Sequence, residues 1–288
     1  MELLIRANAK LNITLDVVGK LPDGYHDMKM VMESVALCDD ITIRIGEGHG
    51  VTVRSDLSYL PTDKRNIALR AAELFMQETG LKKSIHLNIV KRIPVCAGMA
   101  GGSTDAAAVL RGLNRLFRTG LSRLELERMG ECLGSDVPYC IAGGTALAEG
   151  RGERLTPLKQ LPICHVVVCK PGFSVSTPAL FSKLDCDRIR HRPDTQGVMD
   201  ALEQGDLAGV ARRMYNVFES VLTRGRDEVE AIKATLLDHG ALGAAMSGTG
   251  PAVFGLYDDR KSAAAAAASL RGSYKDVFLT KNIPAHAV

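Results

Sequence analysis

Net charge is almost absent from this chain: 36 Lys and Arg against 33 Asp and Glu leave +3 over 288 residues. The basic residues are scattered rather than massed, so no broad field for nucleic acid is expected, while a small anionic substrate stays compatible. No apolar run approaches the roughly 20 residues that cross a bilayer. The seven histidines are dispersed with no His-x-x-x-His, and the seven cysteines form no Cys-x-x-Cys pair. A dedicated transition-metal site is therefore not expected, and any metal should arrive with a ligand. Most of the cysteines lie inside apolar patterns and read as reduced core residues. Their odd number, and the way Met1 leads directly into strand-like Leu3-Leu4-Ile5, point to a reducing, cytoplasmic setting. Periods of the solenoid type are missing as well.

What remains is an ordinary globular composition, 46% hydrophobic and 24% charged, in a chain long enough for two domains or one large one. Alternation predicts strands at Leu3 to Ala7, Leu11 to Val18, Met28 to Ala36, Ile41 to Ile45 and Val51 to Val53, and another through Ile85, Leu87 and Ile89. Helical spacing predicts helices over Asn66 to Glu78, Ala106 to Phe117 and Ser122 to about Leu133, where Gly134 stops the last. After a strand at Thr145 to Ala148, Pro157 and Pro162 bracket an expected crossover, which sets the domains at 1–155 and 156–288. Beyond it, Ile163 to Cys169 and Ala252 to Tyr257 read as strands. Leu207 to Val221, Glu228 to Leu237 and the alanine-rich Ser262 to Leu270 read as helices. Strands and helices segregate partly, which favours α+β over a doubly wound sheet.

One stretch stands out: Pro94-Val95-Cys96-Ala97-Gly98-Met99-Ala100-Gly101-Gly102-Ser103-Thr104-Asp105, running straight into the helical pattern from Ala106. Gly98, Gly101 and Gly102 let backbone N–H groups turn toward a ligand, and the helix adds unpaired donors and the positive end of its dipole. Strand, glycine loop, helix is an order that suits nucleotide phosphates. Neither common fingerprint is present, because no lysine follows Gly102 as a Walker A loop requires, and the glycines miss the spacing of a dinucleotide site. The structural alternative is a tight turn capped by Ser103.

Three further clusters bear chemistry. In Ala7-Asn8-Ala9-Lys10-Leu11-Asn12, a lysine and two amides interrupt apolar strands, where the ammonium could steady a developing anion. Pro22-Asp23-Gly24-Tyr25-His26 is a turn followed by a ring and an imidazole: a plain hairpin, or a stacking surface with a hydrogen-bonding edge for a nucleobase. In Gly134-Ser135-Asp136-Val137-Pro138, the aspartate is either a turn or cap residue or a base for a hydroxyl. A second glycine loop, Ser247-Gly248-Thr249-Gly250-Pro251, lies far along the chain.

Taken in order, Lys10 with its neighbours, Pro94 to Ala107 and Ser247 to Pro251 resemble the three motifs of the GHMP kinases. Ala9-Lys10-Leu11-Asn12, Asp23-Gly24-Tyr25-His26, Lys91-Arg92-Ile93-Pro94, Gly101 to Asp105 and Gly134 to Pro138 are similar to the branch that acts on a cytidyl-bearing acceptor in non-mevalonate isoprenoid synthesis. The resemblance spans nearly the whole chain. It implies a ribosomal-S5-like N-terminal domain, a ferredoxin-like C-terminal domain, and transfer of the γ-phosphoryl of ATP, with Mg²⁺, to the 2-hydroxyl of a methylerythritol moiety. Lys10 and Asp136 would be the catalytic pair, and Pro94 to Thr104 the ATP phosphate loop, with Asn66 and Lys91 on the nucleotide side. Tyr25 and His26 would hold the cytosine, helped by Asn12 and Phe181. Met99, Ala100 and Thr104 depart from the family's loop pattern. A mevalonate-pathway or homoserine kinase, an inactive binding module of the same fold and a nucleic-acid binder are the competing readings. Only the first branch gives Tyr25-His26 a base to stack.

Overall fold

The computed structural model describes residues 1–285. In chain order it runs β1 (Glu2–Lys20), β2 (His26–Gly46), β3 (Gly50–Ser55), α1 (Ile67–Thr79), β4 (Ser84–Val90), α2 (Gly101–Phe117), α3 (Arg123–Glu131) and α4 (Val137–Ala142). It continues through β5 (Thr145–Gly150), β6 (Arg154–Pro157), β7 (His165–Lys170), α5 (Thr177–Phe181), α6 (Thr195–Gln204) and α7 (Leu207–Ala211). It ends with β8 (Tyr215–Asn216), α8 (Arg226–Asp238), β9 (Gly243–Met246), β10 (Val253–Tyr257), α9 (Arg260–Arg271) and β11 (Asp276–Lys281).

The larger sheet is ordered β3-β4-β2-β1-β8, and β5 and β6 extend from β2. One long edge of β2 serves two partners: Asp40 to Gly46 pairs with β4, and Met28 to Glu33 with β5. The two short strands expected on either side of Lys10 are one strand, β1, with register shifts between Asn8 and Lys10 and between Asn12 and Thr14. Bulges let a strand carry an irregular segment without ending, so the polar break bends β1 instead of stopping it. Met28 to Ala36 and Ile41 to Ile45 fuse into β2 in the same way.

The second sheet is ordered β11-β7-β10-β9 and is antiparallel throughout. In chain order its strands and helices run strand, helix, strand, strand, helix, strand, the ferredoxin-like succession. The expected division at residue 155 falls inside β6, whose ladder with β5 keeps Arg154–Pro157 on the larger sheet. The second half also returns to the first: β8 pairs in parallel with β1 at Thr14 and Leu15. That return replaces the helix expected over Leu207 to Val221, which stops at Ala211. Asn216 makes the break, its side-chain amide donating at 2.7 Å to the carbonyls of both Met246 and Gly248.

Among the described residues no helix is long and apolar enough to cross a membrane. Cys140, Cys164 and Cys169 are buried free thiols as expected, but Cys96 and Cys132 are exposed. Cys96 owes its exposure to the loop conformation described below.

Candidate active site

The phosphate loop is built by alternation. Cys96, Gly98 and Ala100 take left-handed backbone at φ 53°, 74° and 58°. Between them, Ala97 and Met99 plunge into the core at 2% and 1% exposure. Each buried side chain pins the chain, and each left-handed residue turns the backbone outward again. The tightest spot is Gly98, where a Cβ would overlap the carbonyl oxygen of Ser247. Ser247 in turn donates its hydroxyl to the Gly98 carbonyl at 3.0 Å, and Ala252 N–H reaches the Ala97 carbonyl at 3.2 Å. The two glycine loops thus lie backbone on backbone.

Helix α2 opens at Gly101, five residues ahead of its expected start, with Ala100 in the cap position and no capping side chain. Ser103 is inside the helix and is not its cap. The leading N–H groups of Gly101, Gly102 and Ser103 are therefore the uncapped donors that favour an anion. These residues line a cavity of about 410 Å³ with Leu60, Pro61 and Asn66. Asn66 caps α1, accepting from Ala68 N–H at 3.0 Å, and ties down Pro61 by donating to its carbonyl at 2.9 Å. Lys91 borders the same cavity, but its ammonium is taken by Asp39 and, at 2.7 Å, by Asp105.

A larger cavity of about 710 Å³ lies on the other side of the loop, and Cys96, Gly98, Ala100 and Ser103 line both. Lys10 is buried at its near end, its backbone N–H on the Met99 carbonyl at 3.3 Å. The Lys10 ammonium donates to Asn12 Oδ1 at 2.7 Å and lies 3.9 Å from Asp136. Asp136 precedes α4 in the cap position yet caps nothing, and 35% of its side chain is exposed. A carboxylate left free of the helix, open to the cavity and beside a buried ammonium can accept a proton from a hydroxyl. Asn12 departs from its expected place beside the aromatic residues. It is wholly buried, is not part of the cavity wall, and spends its amide on Lys10 and on Met30 Sδ at 3.3 Å.

The far end of the cavity is aromatic. The His26 ring packs 4.7 Å from Phe181, which meets Phe218 edge-on at 4.8 Å. His26 Nε2 is buried without a hydrogen-bond partner, and burial, then Lys20, holds its pKa below the usual imidazole value. A neutral ring with an unused edge suits a nucleobase. Tyr25 stands exposed, with the guanidinium of Arg151 at 4.3 Å over its ring and Asp23 paired to that same guanidinium. Arg151 and Phe218 were not foreseen. Gly150-Arg151-Gly152 reads in sequence only as the end of a strand, and Phe218 lies in the segment expected to be helical.

The chain matches the model of the GHMP kinases N terminal domain over residues 66–144 and that of the GHMP kinases C terminal over 198–276. It is 46% identical over 279 residues, 96% of each chain, to the 4-diphosphocytidyl-2-C-methyl-D-erythritol kinase of Lachnoclostridium phytofermentans. The crystal structure of a 4-(cytidine 5'-diphospho)-2C-methyl-D-erythritol kinase superposes with a TM-score of 0.83 at 31% identity, covering 98% of this chain and 99% of that one. A homoserine kinase from Cytophaga hutchinsonii shares the fold, with a TM-score of 0.75 at 20% identity over 99% and 96% of the two chains. The chain belongs to the GHMP kinase family, in the branch of the diphosphocytidyl-methylerythritol kinases.

Proposed function

We propose that this kinase transfers the γ-phosphoryl of ATP to the 2-hydroxyl of 4-diphosphocytidyl-2-C-methyl-D-erythritol. The observation that carries the reading is one continuous cavity holding the Lys10–Asp136 pair between the glycine loops and the pocket of His26 and Phe181. The triphosphate lies along Gly98 to Ser103 and the start of α2, with the rest of the nucleotide toward Asn66. The cytosine stacks at Tyr25 and Phe181 and uses the free edge of His26. Lys10, steered by Asn12, stabilises negative charge at the attacking oxygen, and Asp136 orients that hydroxyl and receives its proton. Because phosphoryl transfer needs little covalent chemistry from the protein, positioning and charge supply most of the rate. Homoserine and mevalonate carry no base, so the aromatic end of the cavity would have nothing to bind.

Mg²⁺ fits this cleft as a companion of the nucleotide. Among the described residues no three His, Cys, Asp or Glu side chains come together to hold a metal. Its ligands would be mainly phosphate oxygens and water, with the Asp136 carboxylate of the cavity wall placed to join them. When bound it would neutralise phosphate charge.

Phosphorus NMR of the product, with ATP and one acceptor at a time, tests the proposal. The cytidyl acceptor should give a new phosphomonoester, and mevalonate and homoserine none. Comparable turnover of either baseless acceptor, or none of the cytidyl one, would contradict it.

A further inference from the structure

Beneath the phosphate loop lies a charge cluster that the transfer chemistry does not use. Lys91, just past β4, is buried against two carboxylates at once, Asp39 of β2 and Asp105 of α2. Asp39 has other partners, accepting the N–H groups of Arg92 at 2.6 Å and Ile93 at 2.8 Å. Asp105 does not. One of its oxygens is buried with no hydrogen-bond partner, and the other rests on the shared ammonium at 2.7 Å. Two buried carboxylates around one cation leave a negative charge uncompensated, and such a pair holds on to a proton. Asp105 is the member that keeps it. Burial pushes its carboxyl up to about 8, aided by the charge of Asp39 and opposed by Lys91.

Location gives this proton its meaning. Asp105 sits one turn into α2 and borders the nucleotide-side cavity with Lys91, Gly101, Gly102 and Ser103. The groups facing it are Lys91 and Asp39 and, from α4, the buried Cys140 thiol, itself raised by burial. We propose that Asp105 is a positioning residue for the nucleotide: as a neutral acid it ties Lys91 beneath the loop without setting a negative charge against the triphosphate at the start of α2. This rests on the kinase reading above. Ionisation of Asp105 places one unit of like charge near the phosphates, a repulsion on the order of tenfold in affinity at an intermediate effective dielectric.

The test is calorimetric affinity for ADP from about pH 7 to about pH 9.5, a window centred near the Asp105 titration. Wild-type protein should weaken on the order of tenfold across it. Asp105→Asn keeps the shape, cannot ionise, and should stay flat. Asp39→Asn removes the neighbouring charge, so its break should move to lower pH. Affinity for CDP, which probes the acceptor end, should show no break that Asp105→Asn removes. A merely structural Asp105 would change melting temperature and leave these pH profiles parallel. Normal ADP binding with a flat wild-type profile, or the same fall in Asp105→Asn, overturns this inference alone. Failure to bind ADP at every pH overturns the kinase reading and the inference with it.

Discussion

At the scale of single residues, what decides a role is where a side chain's hydrogen-bonding capacity is spent. In sequence Lys10 and Asp136 are a lysine amid apolar strands and an aspartate in a small-residue turn; the family resemblance pairs them, and the fold sets them 3.9 Å apart. Asn12 lies two residues after Lys10 in a regular stretch of β1, so strand alternation alone sets both on one face, and the fold adds the 2.7 Å hydrogen bond from the ammonium to its Oδ1. His26 keeps an unpartnered ring nitrogen, so its contribution should be to binding. His26→Ala should raise the KM for the cytidyl acceptor by the equivalent of about 1–3 kcal/mol, the range for losing base stacking and edge contacts. The KM for ATP should hardly move. Steady-state kinetics in both substrates checks this, and equal shifts would place His26 outside the acceptor end.

At the scale of elements, the glycine loop and its helix were recognisable, but the burial of alternate residues was not. Nothing in Pro94 to Thr104 announces that Ala97 and Met99 are core side chains, because the second loop that encloses them lies about 150 residues away. The helix start was misplaced for a related reason: glycine, serine and threonine are poor helix formers, and here packing overrides propensity. The two glycines therefore separate in their expected effects. At Gly98 a methyl group would overlap the Ser247 carbonyl and also force alanine into left-handed backbone. Gly98→Ala should destabilise by more than the roughly 1–2 kcal/mol of that backbone alone. At Gly102 it would meet only Ile67, at 3.3 Å. Gly102→Ala should keep the melting temperature within a few degrees while weakening ATP binding, and Gly102→Val should weaken it further by blocking phosphate approach. Thermal melts with nucleotide titrations check both, and similar stability losses at the two glycines would contradict the packing.

At the scale of the molecule, the α+β class and the two-part organisation could be read from the succession of elements. The return of β8 to the first sheet could not, because a two-residue strand has no periodicity to detect. The seam between the halves carries Glu33, fully buried, with Thr145 donating to it at 2.5 Å and Gln160 at 2.9 Å. Burial pushes its carboxyl up to about 8, so it is protonated in the fold at neutral pH. The unfolded chain releases that proton near the usual value, so stability should fall as pH rises from about 4.5 through about 8, by on the order of a few kcal/mol. Glu33→Gln should flatten this slope in denaturant midpoints measured across pH. An unchanged slope would mean that Glu33 is ionised in the fold.

Binding of the two substrates and transfer of the phosphoryl group can be measured separately, which makes one comparison the most direct. Asp136→Asn retains the shape of the side chain but cannot take the hydroxyl proton, and Lys10→Ala removes the charge beside it. Each single variant should lose ~10²–10⁴-fold in kcat. Calorimetry should still show both substrates binding, and the double variant should be little worse than either single, because the two groups act on one oxygen. Near wild-type kcat in Asp136→Asn, or losses that multiply fully in the double variant, would contradict the assignment of this pair as the centre of the reaction.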